Sequence, residues 1–343
     1  MSKTSPKPTS IKDIARMASV SHSTVSRALQ NSSLISSKTA ERIQRIARQS
    51  GYRVSAVARG LVTQKTQTIG VVVTAIADPY VSEVVSGIEE AANRHGYSVF
   101  LAQSNAEPDR EIKVVHSFAE RRVDGIVVTS SRVGSLHLEL LSEMKVPIVL
   151  VNNQHPGETV HAVMIQNVEA SCQVTQHLIR LGHRRIAYIG DRFGYQSDTE
   201  RLAGHRKALE QAGLPFFEEL AVQGDGKPEG GMAAMRVLLG LAQPPTAVFC
   251  YNDMTALGAL RCLYSDGLRV PQDISVAGFD DLFIASYTQP PLTTVRQPRR
   301  QMGLLAMEIL LKLISGEDSA GTTEVPAELV VRGSTAPPRE EPQ

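Results

Sequence analysis

The sequence predicts an α/β protein with a small all-α head: a basic helical segment followed by two sets of parallel strands alternating with helices. Three observations predict it. Residues 1–65 hold 12 Lys and Arg against only Asp13 and Glu41, a local net of +10, while the rest of the chain carries a net of −9. Residues 11–49 repeat their apolar positions at spacings of three and four, the helical period. From Thr68 onward, short continuous apolar runs recur with helical segments between them, as in parallel sheets covered on both faces.

In the head, Ser10 can cap a helix with Asp13 at its third position, a capping box. Ile11, Ile14, Ala15 and Ala18 form the apolar face. Ser19-Val20 breaks the run, and Ser21 caps a second helix from His22 to about Leu29 with Val25, Ala28 and Leu29 inward. Small residues flanking the break let the two helices cross closely, which makes a helix-turn-helix whose second helix enters the major groove. The hydroxyl-rich run is poor helix-interior chemistry and has no use in a core. His22, Ser23 and Arg27 are expected at base edges, and Ser21, Thr24 and Ser26 at phosphates or bases. The basic charge suits a phosphate-binding module; a solvated surface without a partner is the alternative that charge alone leaves open. A third helix spans about Ser37 to Gln49 and stops at Gly51.

The body opens with the strand "IGVVVTA", then an amphipathic helix from Tyr80 to His95. "YSVFLAQ", "DGIVVTS" and "VPIVLVN" repeat the strand signal. "RRIAYIG", a helix from about Thr199 to Ala212, "TAVFCYND" and "DISVAGFDD" form a second set. Two sets mean two doubly wound subdomains, and ligands bind such sheets beyond the carboxyl ends of their strands. "VPIVLVN", "TAVFCYND" and "DISVAGFDD" all end in polar residues, which marks the cleft.

Several classes are excluded. No apolar run approaches the roughly 20 residues that span a bilayer, and "MSKTSPKPTS" has no secretory hydrophobic stretch, so residues 1–9 read as a disordered tail in a cytoplasmic protein. Cys172, Cys250 and Cys262 lack metal spacing and read as buried small hydrophobes in a reducing compartment. No Gly-rich dinucleotide turn follows the first strand, and there is no P-loop, nucleophile elbow or metal cluster, so neither enzyme activity nor a cofactor is expected. His183 reads as a solvated or locally bonded histidine.

"IKDIARMASVSHSTVSRAL" followed by "GYRVSAVARGL" resembles the LacI/GalR family of bacterial transcription regulators. The body resembles the periplasmic-binding-protein-like type I effector domain of that family through "DPYVSEVVSGIEEAANRHGY", "VDGIVV", "RRIAYIG", "RLAGHRKAL", "YNDMTALGAL" and "GFDD" with "PPLTTVRQP". The resemblance covers roughly residues 10–332. It implies a DNA-binding domain over 10–54, then a hinge helix and linker over 55–67. There Ser55 contacts DNA, Ala58 faces the minor groove and Leu61 wedges into a base step. It implies an effector domain over 68–332, divided into subdomains at 68–165 with 296–325 and at 166–295 with 326–332. It also implies that Ser19, where the family usually has glycine, takes an unfavourable turn geometry. Residues 333–343 are Pro-rich and polar, read as a flexible tail, and lack the heptads of a tetramerising coil, so a homodimer is expected.

For the cleft, Arg201, Asn152, Asn252 and Asp280 combine guanidinium, amide and carboxylate groups that match the vicinal hydroxyls of a sugar. Asp253 and Asp281 read instead as helix caps. The resemblance implies a ligand role for Arg201 and Asp280, and Asn252 favours a sugar over a purine. Tyr80 either stacks on the sugar or packs. Gly226 stands where some relatives carry an aromatic platform, which leaves the apolar wall unassigned. The expected function is a dimeric, operator-binding repressor controlled by a sugar or sugar derivative. A nucleobase-responsive regulator and a solute-binding protein without DNA function are the alternatives.

Overall fold

The computed structural model describes residues 9–29, 32–52, 65–131, 146–153, 161–317 and 321–339. It divides into two compact units, Met1–Gln67 and Thr68–Gln343. The expected hinge positions Ser55, Ala58 and Leu61 lie outside the described residues.

The head unit contains α1 (Ile11–Met17), α2 (His22–Leu29) and α3 (Ser37–Gln49). Ser10 Oγ accepts from the Asp13 amide at 3.4 Å while Asp13 Oδ2 accepts from the Ser10 amide at 3.0 Å, so the capping box is formed. Ser19 sits at φ +50, the left-handed region, where a Cβ is unfavourable. That conformation lets the Val20 amide reach back to the Ala15 carbonyl at 3.0 Å and turns the chain into α2. Ile14, Ala15, Ala18, Val25, Ala28, Ile43 and Ala47 form one small core. Arg42 donates to the Ala18 carbonyl at 2.8 Å and ties α3 to the turn.

The body runs β1 (Thr68–Val73), α4 (Pro79–Arg94), β2 (Ser98–Gln103), α5 (Pro108–Glu120), β3 (Gly125–Thr129), β4 (Ile148–Val151) and β5 (His161–Ile165). It continues through α6 (Asn167–Arg180), β6 (Ile186–Asp191), α7 (Gln196–Gln211), β7 (Ala221–Gly224), α8 (Pro228–Leu239), β8 (Ala247–Cys250), α9 (Asp253–Ser265), β9 (Ser275–Ala277) and β10 (Thr294–Arg296). It finishes with α10 (Arg299–Ser315), β11 (Thr322–Val325) and β12 (Glu328–Val330). One sheet is ordered β11-β5-β4-β3-β1-β2 and the other β7-β6-β8-β9, with parallel pairing throughout both. The continuous apolar runs are fully buried in β3, β4, β5, β6, β8 and β9, which is why they do not alternate. Between the sheets the chain passes after β5, between β10 and α10, and between β11 and β12. The antiparallel pair β10–β12 brings two of these passages side by side.

Two expectations are corrected here. Residues 333–339 are not a loose tail. Ser334 is fully buried, its carbonyl accepts from the Val276 amide at 2.9 Å, and its hydroxyl accepts from the Thr293 amide at 2.7 Å. His183 is buried and bonds Thr246 at 2.9 Å and the Ala336 carbonyl at 2.9 Å, so it fastens that segment to β9 and β8. Burial lowers its pKa, consistent with a neutral structural imidazole. The predicted caps are also reassigned. Asn252, not Asp253, caps α9, its Oδ1 accepting from the Thr255 amide at 2.8 Å. Asp253 is fully buried and accepts from Thr294 Oγ1 at 2.6 Å and the Leu282 amide at 2.7 Å. Asp281 pairs with Arg296 at 2.7 Å and Arg332 at 2.5 Å and caps nothing.

Candidate functional site

On the head, Ser21, His22, Ser23 and Arg27 are exposed, and Thr24 and Ser26 are half-buried. Ser21 Oγ accepts from the Thr24 amide at 3.1 Å and lies 2.8 Å from both the Ser23 and Thr24 hydroxyls. The hydroxyl cluster therefore starts α2 and presents its outer edge to solvent at the same place. The N-terminal end of α2 is thus an exposed hydrogen-bonding surface, with Arg27 one turn further on.

In the body, a cavity of about 390 Å³ opens at the carboxyl ends of strands from both sheets. Tyr80, Asn152, Arg201, Asn252 and Asp280, five residues distant in sequence, all line it. Arg201, only 2% exposed, is the most constrained. Its Nε donates to Asn167 at 3.1 Å and its Nη1 to the Tyr251 carbonyl at 2.6 Å, with Asp280 at 3.9 Å. The rings of Phe279 and Tyr251 lie 3.7 and 4.7 Å from its guanidinium carbon. A buried cation is tolerable only with such partners.

Asp280 follows β9 at φ +119 and accepts from Gln297 Nε2 at 2.6 Å. Burial pushes its carboxyl up to about 7 against the opposing pull of Arg201 and Arg299. The folded form therefore holds a proton that the unfolded chain has lost between about pH 4 and 7, so stability falls as pH rises through that window and levels off above it. Asp280→Asn should flatten the fall. Melting temperatures of both proteins across that range check it, and parallel profiles would remove the assignment.

Asn152, at φ +60 and 8% exposed, has an Oδ1 with no hydrogen-bond partner. Such a buried orphan acceptor demands a donor from a ligand or water. Asn252 makes its capping bond and donates its Nδ2 to the Gly226 carbonyl at 3.0 Å, which fixes its amide in the wall with a second N–H and lone pair left to it. Tyr80 is buried with its hydroxyl 4.0 Å from Met302 Sδ; it both packs and lines the cavity. At Gly226, φ is +72 and an added Cβ would stand 2.8 Å from Asp191 Oδ2, so a larger side chain there would strain the backbone and displace that carboxylate.

The sequence reading missed the aromatic wall. Phe193 and Tyr195, on the loop after β6, line the cavity with their rings edge to face at 6.5 Å, and Tyr251 follows β8. Their position directly after buried strands was the available signal. Asp78, Asp191 and Asp225 line the cavity too and were likewise not singled out.

Among proteins of known kind, residues 10–55 match the bacterial regulatory proteins of the lacI family, and residues 175–335 match the periplasmic binding protein-like domain. The HTH-type transcriptional repressor PurR of Actinobacillus pleuropneumoniae serotype 3 (strain JL03) is 35% identical over 327 residues, covering 94% of this chain and 97% of the relative. The HTH-type transcriptional repressor CytR of Escherichia coli (strain K12) is 36% identical over 327 residues, covering 95% and 96%. The crystal structure of the lac repressor dimer bound to operator and the anti-inducer ONPF superposes with a TM-score of 0.88 at 29% identity, covering 96% of this chain and all of that one. The chain belongs to the lacI family of bacterial regulatory proteins. It is a DNA-binding transcriptional repressor and not an enzyme. Among the described residues, no helix is long and apolar enough to cross a membrane.

Proposed function

We propose that the chain acts in the cytoplasm as a homodimer that binds a palindromic operator and is controlled by a sugar or sugar derivative in the body cavity. The unpaired Asn152 Oδ1, in the same cavity lining as Arg201 and Asp280, carries the effector reading. One sugar hydroxyl can donate to the first, while others accept from the guanidinium or donate to the carboxylate. Ser21, His22, Ser23, Thr24, Ser26 and Arg27 form the reading face, and Ser55, Ala58 and Leu61 the minor-groove hinge. A nucleobase or nucleoside effector is the second reading, favoured by the aromatic rings of Phe193 and Tyr195 in the cavity wall.

A thermal-shift panel of sugars, nucleobases and nucleosides separates the two readings, because a ligand that binds only the folded chain raises its melting temperature. The ligand found must also change operator affinity in a gel shift; stabilisation by none of the panel would defeat both readings. On the DNA side, Arg27→Ala should cost about 1–3 kcal/mol on the operator and little on random DNA. Equal losses on both would demote Arg27 to a backbone contact. Binding to either DNA should weaken with salt at a log–log slope of roughly −0.9 per neutralised phosphate.

A further inference from the structure

We propose that the cavity is a charge filter that accepts uncharged, hydroxyl-rich effectors and rejects phosphorylated or carboxylated ones. This rests on the effector reading above and adds the charge class of the ligand. An anion entering the cavity would be drawn to two places, the N-terminus of α8 and the guanidinium of Arg201. The chain's own carboxylates hold both.

At α8, a helix of 12 residues, Asp225 Oδ1 accepts from the Lys227 amide at 3.0 Å. It also stands 2.1 Å from where a Cβ on Gly230 would be, so the carboxylate lies in the notch left by that glycine, over the first turn. Arg192 approaches the other oxygen at 3.9 Å. A ligand phosphate would have to displace this built-in anion or sit beside it. At Arg201, Nε and Nη1 are engaged by Asn167 and the Tyr251 carbonyl, and Asp280 answers its charge.

The lining as a whole carries four acidic side chains, Asp78, Asp191, Asp225 and Asp280, against Arg201 and Lys227. Burial keeps part of Asp78 and Asp280 protonated, and the charged remainder opposes a further negative group in a partly desolvated space. Asn152 supplies an independent sign. Its buried Oδ1 lacks a donor, which a hydroxyl supplies and an anionic phosphate or carboxylate group seated at that atom cannot.

The test uses the full chain and matched pairs: ribose with ribose 5-phosphate, glucose with glucose 6-phosphate and gluconate, and adenosine with its 5′-monophosphate. Where the neutral member binds by calorimetry, its charged partner should bind about tenfold more weakly or worse. A charged member that binds as tightly or more tightly overturns the proposal. Inorganic phosphate gives an arm that needs no knowledge of the effector. At ionic strength matched with chloride, phosphate should not raise the melting temperature of the wild type. It should raise that of Asp225→Asn, and the gain should vanish in Asp225→Asn/Lys227→Ala. Asp225→Ser serves in place of Asp225→Asn if the amide variant does not fold. Wild-type stabilisation equal to the variant's, or no gain in either folded Asp225 variant, also overturns it. If no neutral ligand binds while the phosphate arm behaves as stated, the acceptance of hydroxyl-rich effectors falls with the effector reading and only the rejection of anions stands.

Discussion

A chain ending at Arg332 will melt about 10 °C or more below the full-length protein. Residues 333–339 look dispensable in sequence, being polar and rich in proline, yet they cover the outer edge of β9. Removing them strips the Val276 and Thr293 amides of the Ser334 carbonyl and hydroxyl they bond at 2.9 and 2.7 Å. Both Val276 and Thr293 are fully buried, and each unsatisfied buried group costs roughly 1–3 kcal/mol. The Ser275 hydroxyl also loses the Ala336 amide and carbonyl, each at 3.1 Å, and His183 loses its 2.9 Å partner. A total near 3–5 kcal/mol corresponds to about 10 °C for a domain of this size. A truncated chain that melts within a degree or two of the full-length protein would show that the segment merely rests on the surface. Chains ending at Arg339 should behave as wild type, since the bonds described here lie before that residue.

Arg201→Ala has the second large expected effect. The side chain lies against the rings of Phe279 and Tyr251 and faces Asp280, so its loss leaves a void and a buried acid without the nearer of its two cations. Breaking a buried pair from one side costs about 3–5 kcal/mol. The penalty should be smaller at pH 5 than at pH 8, because Asp280 escapes it by taking up a proton. Asp280→Asn should therefore restore part of the stability when added to Arg201→Ala. The double-mutant cycle reads the coupling directly. In the temperature range where Arg201→Ala stays folded, its DNA-binding head is intact, so it should hold the operator and no longer respond to effector. An Arg201→Ala protein that melts like wild type would remove its stabilising role, and one that still responds would remove its effector role.

Local patterns made much of this legible. The capping box at Ser10 and Asp13, the break at Ser19-Val20 and the spacing of Ile14, Ala18, Val25 and Ala28 depend on neighbours within a few residues, so reading along the chain finds them. The same holds for the buried strands, whose unbroken apolar runs need no knowledge of their partners. Asn152 and Asp280 could be picked out because strand ends in parallel α/β sheets face one another across a cleft, and the resemblance to the family singled out Arg201 and Asp280.

What those side chains do once gathered was a different matter. Asn252 and Asp253 are adjacent polar residues at a strand end, and sequence gave no means of choosing the cap. The choice depends on Thr294 and Leu282, which reach Asp253 from some 40 and 30 residues away. The Ser334 anchorage depends on a β9 edge that the last strands leave open. The aromatic wall at Phe193 and Tyr195, and the seating of Asp225 over Gly230, follow from loops set by two sheets at once. The sequence by itself determined the helical head and the parallel-sheet body, because these rest on periodicity and short-range capping, and the resemblance of its head and body motifs pointed to the family. Only the tertiary structure decided which polar groups are consumed inside the fold and which, like Asn152 Oδ1, are left for a ligand, because hydrogen-bond satisfaction is settled by partners distant in the chain.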